Sequence, residues 1–191
     1  MRKLRHLTRF RYMPRRSVPI GQSRLPAFDR QSGDLNAVVE AVRGSRNKFT
    51  FDRGYGHFTL TGVLTAGASF PFDFGFIPST TGEDGDPLDV LVLMDEPAFV
   101  GAVVPSRLIG AIEAEQTEES GETVRNDRLI AVACKSHQYG DAKSLDDLPS
   151  NLVREIEHFF ISYNEVKGVT FTPIGRAGPR RAANLVRAAK G

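Results

Sequence analysis

Residues 37–61, AVVEAVRGSRNKFTFDRGYGHFTLT, carry the pattern that decides the fold class of this chain. Within them, the runs 37–42, 48–51 and 58–61 are apolar or alternate between apolar and polar residues, and glycine-containing segments separate them. Short runs of this kind, divided by glycine-rich turns, are typical of a β-meander. The first half of the chain is therefore predicted to be built from strands.

Further strands are predicted downstream, over residues 88–93, 107–113 and 128–133, each of which is a mostly apolar run. The segment from Glu115 to Asp127 is acidic and contains Ser120-Gly121, which predicts a loop.

Helical periodicity is found only in the C-terminal third. Apolar side chains between Leu152 and Tyr163 recur at the spacing of one helix face, and Gly168 is expected to end that helix. A second short helix is predicted over 180–189. Five or six strands followed by two helices predict an α+β fold, in which a small β-barrel carries the helices on its outside.

Composition limits the class of protein. The chain has 191 residues, of which 40% are hydrophobic and 25% charged, as expected for one globular domain. No apolar run approaches the roughly 20 residues needed to cross a bilayer, and the N-terminal residues contain no apolar core of a signal peptide. Cys134 is the only cysteine, so no intramolecular disulfide can form. These features predict a cytoplasmic protein without a membrane partner.

Charge is distributed unevenly. Residues 1–30 contain nine Lys or Arg and a single acid, Asp29, whereas the rest of the chain has a net charge of −6 (16 basic and 22 acidic residues). Such a basic segment could bind nucleic acid or a membrane surface, or it could be a solvated leader. Because no aromatic residues are interleaved at a regular spacing, we do not expect nucleic-acid binding. We predict an irregular basic extension over 1–33 and one domain over 34–191.

The acidic segment Asp84-Gly85-Asp86-Pro87-Leu88-Asp89 places three carboxylates within six residues. Neighbouring anions repel each other, so such a loop is stable only if water solvates it or cations neutralise it. An all-oxygen ligand set suits Mg²⁺ or Mn²⁺, and the spacing differs from that of an EF-hand. The loop by itself is equally compatible with a solvated turn. The aromatic segment 70–78 before it and the apolar strand after it favour a rigid metal site.

These segments resemble the soluble family I inorganic pyrophosphatases. The resemblance extends from about Leu35 to the C-terminus and rests on three blocks in the same order. The blocks are the acidic segment 84–90, the aromatic segment 70–77, and 146–149 followed by 156–163. It implies an OB-like five-stranded β-barrel, Mg²⁺-dependent hydrolysis of pyrophosphate or a related phosphoanhydride, and a homo-oligomer, usually a hexamer in bacteria.

The resemblance also assigns roles to individual residues. It implies that Asp84, Asp86 and Asp89 bind metal ions and that Asp86 is the base for the attacking water. It further implies that Lys48 and Tyr163 bind phosphate and that Glu40 supports the site. Taken alone, a lysine in a turn is normally solvated, and Tyr163 equally fits the apolar stripe of its helix.

Several positions depart from the family pattern. Thr50 stands where a glutamate is expected, Gly62 where an arginine is expected, Phe74 where a tyrosine is expected, and Asn164 where a lysine is expected. Losing two cations from a phosphate pocket is expected to cost on the order of 10²–10⁴ in rate. A non-catalytic relative that binds phosphate, pyrophosphate or a partner protein is therefore the alternative hypothesis.

A second acidic segment of the family normally supplies two aspartates and a lysine. Here Glu118, Asn126 and Arg128 stand in that region, and Asp127 would replace Asn126 if the loop shifts by one residue. We therefore predict Glu118 and Asp127 as further metal ligands and Arg128 as a phosphate ligand. Arg128 or Arg53 could also fill the space opposite Gly62.

Overall fold

The computed structural model describes residues 25–52 and 54–189, which form a strand-rich domain with two α-helices. The strands are β1 (Leu35–Ala41), β2 (Asn47–Asp52), β3 (His57–Val63), β4 (Asp73–Phe76), β5 (Asp89–Leu93), β6 (Val103–Thr117), β7 (Thr123–Arg125), β8 (Arg128–Ala133) and β9 (Thr170–Ala177). The helices are α1 (Ser150–Glu165) and α2 (Pro179–Ala188), and Leu145–Asp147 form a single 3₁₀ turn.

Five strands close into a ring in the order β1-β4-β5-β8-β6, and β6 pairs with β1 to complete it. Every contact in the ring is antiparallel except that between β5 and β8. Closure leaves no unpaired edge within the ring. The predicted OB-like five-stranded barrel with two C-terminal helices is confirmed.

Three features were not predicted from the sequence. The segment 115–127 was predicted as a loop, but β6 continues to Thr117 and forms a hairpin with β7. Strand β9 follows α1 and precedes α2 along the chain, and it pairs with β6. A short strand, β4, lies within the aromatic segment and joins β1 to β5.

Helix α1 packs its apolar face, which includes Val153, Ile156 and Phe160, into a core cluster shared with β4, β5, β6 and β8. Phe160 packs against Phe74 of β4, with ring centroids 5.6 Å apart. Burial of large aromatic side chains is a major source of stability in a domain of this size. Among the residues that the structure describes, no helix is both long and apolar enough to span a bilayer.

The described part of the predicted N-terminal extension lies against the barrel. Ala27 is buried, and its carbonyl accepts a hydrogen bond from the backbone N–H of Asn36 in β1. The carbonyl of Leu25 accepts a hydrogen bond from the hydroxyl of Ser79. Residues 1–24, which hold most of the basic side chains of the extension, lie outside the described residues.

Candidate active site

The acidic segment 84–89, called the acidic loop from here on, follows β4 and ends at the first residue of β5. It is folded tightly. The Asp84 carboxylate accepts a hydrogen bond from the backbone N–H of Asp86 at 3.1 Å, and the Asp86 carbonyl accepts one from the N–H of Gly82 at 2.7 Å. Gly85 has a φ of 85°, a conformation that side chains disfavour. Asp89 is the first residue of β5. The glycines and the strand therefore fix where the three carboxylates lie.

A cleft of about 520 Å³ separates this loop from the β2–β3 hairpin. Asp86 and Asp89 line it from the loop, Lys48 and Thr50 line it from β2, and Glu40 of β1 also contributes to its wall. The cleft therefore brings together carboxylates and one cationic side chain from three separate elements. Its volume is within the usual range for sites that bind small molecules.

Glu40 and Lys48 form an ion pair at the wall of the cleft, with 3.8 Å between Oε2 and Nζ. Burial raises the pKa of Glu40 to about 7; Lys48 opposes this effect, and the nearby charge of Asp89 adds to it. Burial alone would lower the pKa of Lys48, but the charge of Asp89 and that of the neighbouring acids outweigh it, so this pKa is raised. Lys48 is therefore a firmly protonated cation in a negative cleft.

Aromatic rings support the lysine. Its Nζ lies 5.1 Å from the centroid of Phe74, a buried ring that stacks on Phe70. Tyr163 contacts the same Phe70 ring at 5.8 Å and is itself buried, so it belongs to the aromatic core under α1. The ring of Phe74 keeps this platform, although it lacks the hydroxyl of a tyrosine.

Arg128 pairs with the last aspartate of the acidic loop. Its Nη1 lies 2.6 Å from Oδ2 of Asp89 and also donates to the side-chain oxygen of Asn126. Because β5 and β8 run in parallel with Val90 beside Leu129, the residues that precede them, Asp89 and Arg128, are brought side by side. The charge of Arg128 is thus applied to an aspartate of the loop.

The known proteins that this chain resembles are inorganic pyrophosphatases. A family model described as inorganic pyrophosphatase matches residues 37–190. The chain is 39% identical over 145 residues to the inorganic pyrophosphatase of Synechocystis sp., covering 76% of this chain and 82% of that protein. It is 37% identical over 153 residues to that of Geobacillus stearothermophilus, covering 80% and 89%.

This chain belongs to the inorganic pyrophosphatase family. The crystal structure of the inorganic pyrophosphatase from Thermus thermophilus superimposes with a TM-score of 0.77 at 35% identity, covering 86% of this chain and 93% of that one. The predicted family is confirmed, and the predicted enzyme class, an inorganic diphosphatase, is the class of this family. Membership of this metal-dependent family implies a divalent metal ion.

The second acidic segment reaches the loop through amide side chains. Asn126 donates to Oδ2 of Asp84 at 3.0 Å and to the side-chain oxygen of Gln116 at 2.9 Å. Gln116 in turn donates to Oε1 of Glu118 at 2.7 Å. Glu118, predicted as a metal ligand, is thus linked to the loop only through two intervening amides. Gln116 was not identified from the sequence, where it carries no distinguishing signal.

Asp127 lies apart from the acidic loop. Its buried carboxylate accepts a hydrogen bond from the backbone N–H of Ala114 at 3.0 Å and pairs with Nε of Arg125 at 2.5 Å. Asn126, and not Asp127, contacts Asp84 of the loop. Consecutive extended residues point to opposite sides, which explains why only one of the two reaches Asp84.

The two positions that lack an expected cation differ in their surroundings. Gly62 lies directly across the hairpin from Lys48, and a Cβ there would meet only the Lys48 Cβ at 3.9 Å, an ordinary contact. Asn164, by contrast, is buried and donates to the carbonyl of Phe160 within its own helix. Gly62 therefore leaves free space beside the lysine, and Arg53 lies outside the described residues.

The carboxylates suit a hard divalent ion in their chemistry. Burial raises the pKa of Asp84, and the charges of Asp86 and Asp89 act in the same direction, which indicates an excess of negative charge. Yet within residues 25–52 and 54–189, no three Asp, Glu, His or Cys side chains are grouped tightly enough to form a metal-binding cluster. These carboxylates are suitable ligands for a divalent ion. In the structure, Asp84 accepts a hydrogen bond from Asn126, and Asp89 pairs with Arg128.

Thr80 is a further residue that sequence reasoning missed. Its buried hydroxyl donates to the carbonyl of Ile77 at 2.6 Å and accepts from the N–H of Leu88 at 3.0 Å. It thereby braces the two ends of the acidic loop. The only signal in the sequence is a hydroxyl residue shortly before the aspartates, which is too common to be informative.

Proposed function

We propose that this chain hydrolyses inorganic pyrophosphate to two phosphate ions at the cleft between the acidic loop and the β2–β3 hairpin. One observation carries the proposal: Asp86 and Asp89 face Lys48 across a single cleft, so that carboxylates and a phosphate-binding cation share one space. Membership of the inorganic pyrophosphatase family supports the same conclusion.

Asp86 is proposed as the general base. It lines the cleft from the acidic loop, and its backbone is fixed on both sides by hydrogen bonds to Asp84 and Gly82. A positioned carboxylate that takes a proton from the attacking water contributes roughly 10²–10⁴ in rate. These backbone hydrogen bonds hold Asp86 at the wall of the cleft.

Asp84, Asp86 and Asp89 are the proposed ligands of the divalent ion, which we take to be Mg²⁺, with Mn²⁺ as a substitute. A divalent ion, when bound, acidifies water and neutralises charge on the phosphoryl oxygens. Glu118 is placed at the periphery of this set because amides separate it from the loop. We place Asp127 outside the reacting site, since Arg125 and the backbone of Ala114 engage its carboxylate.

Lys48 is proposed to bind a phosphoryl oxygen of the substrate. Its ammonium is protonated and rests against the Phe74 ring, so its position is partly fixed before the substrate arrives. Charge-assisted contacts to phosphate are among the stronger single hydrogen bonds. Tyr163 is proposed as a weaker contributor, acting through its hydroxyl at the edge of the aromatic core.

Release of phosphate from pyrophosphate, tripolyphosphate and ATP by the purified protein, in Mg²⁺ and then in Mn²⁺ at pH ~7–9, tests this function. We expect release from pyrophosphate above that from the other two compounds, because Lys48 is the one cation among the described residues that line the cleft, so the extra charge of a third phosphate is not neutralised. Equal rates of phosphate release from all three compounds, or no release from any of them, would contradict the proposed substrate.

A second candidate is a relative that binds pyrophosphate without hydrolysing it. It is favoured by Gly62, which leaves space without a charge, and by Asn164, whose side chain is turned into its own helix. Calorimetric titration with pyrophosphate and Mg²⁺ distinguishes the two, since binding without phosphate release identifies the second candidate.

We further propose a cytoplasmic homo-oligomer, a hexamer by analogy with bacterial members of the family. Exposed apolar side chains support an assembly, among them Phe99, Ile174 and Val166, which expose 72%, 50% and 64% of their surface. Aromatic side chains such as Phe99 are enriched in the buried cores of interfaces between subunits. Light scattering on the purified protein measures the mass directly.

A further inference from the structure

Arg128 has a setting that its predicted role as a phosphate ligand does not explain. Among the described residues it is the one lysine or arginine that is buried, with 3% of its surface exposed. It is the first residue of β8, and the residues that line the cleft do not include it.

The guanidinium contacts a carboxylate, an amide and two aromatic rings. Its Nη1 lies 2.6 Å from the carboxylate of Asp89 and donates to the side-chain oxygen of Asn126. The guanidinium carbon lies 5.3 Å from the Phe160 centroid and 5.1 Å from that of Phe171. Buried charges are stable only when paired, and aromatic rings add to the attraction. The guanidinium therefore cannot turn towards the cleft without losing its contact with Asp89 and its place between the two rings.

The same network extends to a second aspartate of the loop. Asn126 receives the Arg128 N–H on its oxygen and donates its own N–H to Asp84 at 3.0 Å. One cation and one amide thus occupy oxygens of two of the three loop carboxylates. Those oxygens belong to the carboxylates that we propose as ligands of a divalent ion, and no preformed metal cluster is found among the described residues.

We propose that Arg128 is a built-in counter-ion of Asp89, which competes with a divalent cation for that carboxylate and weakens metal binding at the acidic loop. This inference rests on the proposed metal-binding function of the same loop. Two like charges a few ångströms apart repel strongly where solvent is excluded. A divalent ion therefore binds at Asp89 only by sharing its oxygens with the guanidinium or displacing it.

Calorimetric titration with Mn²⁺ alone, without pyrophosphate, tests the competition. Arg128→Met removes the charge and keeps an unbranched side chain between the two rings, and we expect it to lower the Mn²⁺ Kd about tenfold or more. Arg125→Met is the matched control: Arg125 is three residues away and pairs with Glu113 and Asp127, not with the loop aspartates. Its Kd is expected to stay within about twofold of the wild type.

The outcomes separate the two proposals. If the wild type binds Mn²⁺ and Arg128→Met binds no more tightly, the counter-ion role is overturned while the metal site stands. If both arginine variants gain affinity equally, the effect is one of net charge and the role is again overturned. If neither the wild type nor Arg128→Met binds Mn²⁺, the metal site of the proposed function fails as well.

A measurement on the unaltered binding loop covers the case in which Arg128→Met does not fold. The Nε–Hε resonance of Arg128 is followed by nitrogen-15 NMR while Mg²⁺ is added, and the charge-retaining Arg128→Lys provides its assignment. We expect this resonance to shift as Mg²⁺ saturates the loop, whereas that of Arg125 stays in place. An Arg128 resonance that does not move at saturation would overturn the competition.

Discussion

At the residue scale, Gly62 is the position at which this chain departs most simply from the pattern that the resemblance implies. Its neighbour across the hairpin is Lys48, the cation of the cleft, and a Cβ at Gly62 meets no atom closer than 3.9 Å. The backbone there does not require glycine, since Gly62 is absent from the residues with positive φ. A longer side chain, including the arginine that the resemblance implies, could therefore be placed at residue 62 without a backbone or steric obstacle.

Gly62→Arg is expected to strengthen pyrophosphate binding. A second cation beside Lys48 can reach a phosphoryl oxygen, and a hydrogen bond to a charged group contributes about 1.5–3 kcal/mol. We expect the KM for pyrophosphate to fall about tenfold or more in steady-state assays of phosphate release. Gly62→Gln, of comparable length but uncharged, serves as the control. An equal effect of both substitutions would show that charge is not the cause.

At the element scale, Asp95 joins the segment after β5 to the turn after β8. Its carboxylate accepts hydrogen bonds from the Ser136 hydroxyl at 2.6 Å and from the backbone N–H groups of His137 and Gln138, both at 2.9 Å. The Ser136 hydroxyl and then these two N–H groups lower the pKa of Asp95 to about 2. The contacts depend on the ionised form of the carboxylate.

Asp95→Asn is expected to destabilise the protein at neutral pH and much less in acid. A pKa lowered by folding contributes stability above the unfolded value of about 3.9, and this contribution is lost as the pH falls towards about 2. The difference in Tm between wild type and variant, measured by thermal melts from pH ~7 downwards, should therefore shrink below pH ~4. A difference that is independent of pH would contradict the assignment.

The strands of the barrel could be predicted where the sequence carries a strong pattern, as in β1, β5 and β8. Strand β9 could not, because it contains Pro173 and Gly175, which weigh against a strand. The structure accommodates the proline on a strand outside the ring, opposite Ala114, at a register shift in β6. Whether a proline is tolerated in β9 depends on its pairing partner in β6, which lies about 60 residues away in sequence.

The same division applies to the candidate site. The three loop aspartates are apparent from sequence because they are close together and flanked by Gly and Pro. The contact between Arg128 and Asp89 is not, since it depends on the parallel register of β5 and β8. Whether Asn126 or Asp127 faces the loop likewise depends on the side of the backbone from which each side chain projects.

At the scale of the whole molecule, residues 25–33 are part of the folded unit as the structure describes it. The side chain of Asn36, which is 6% exposed, donates to the carbonyl of Pro26 at 2.9 Å, and Ala27 is 2% exposed. Removing this segment would leave a buried amide without a partner. An unsatisfied buried polar group costs roughly 1–3 kcal/mol.

A chain that begins at Asp34 is therefore expected to melt below one that begins at Leu25. A loss of that size lowers Tm by about 3–10 °C in a domain of this length. Thermal unfolding of the two truncated proteins under the same conditions gives the comparison, and the two differ only in residues 25–33. Equal melting temperatures would place the structural boundary at 33/34 instead.

We propose that the reaction takes place at the acidic cleft and that Asp127 lies away from it. The measurement that tests this most directly is the rate of phosphate release from Mg–pyrophosphate by the wild type, Asp86→Asn and Asp127→Asn. We predict that Asp86→Asn loses about 10²-fold or more in kcat, while Asp127→Asn, whose amide oxygen can still accept from Ala114, stays within about threefold of the wild type. Equal release by the wild type and Asp86→Asn, or a loss confined to Asp127→Asn, would contradict it.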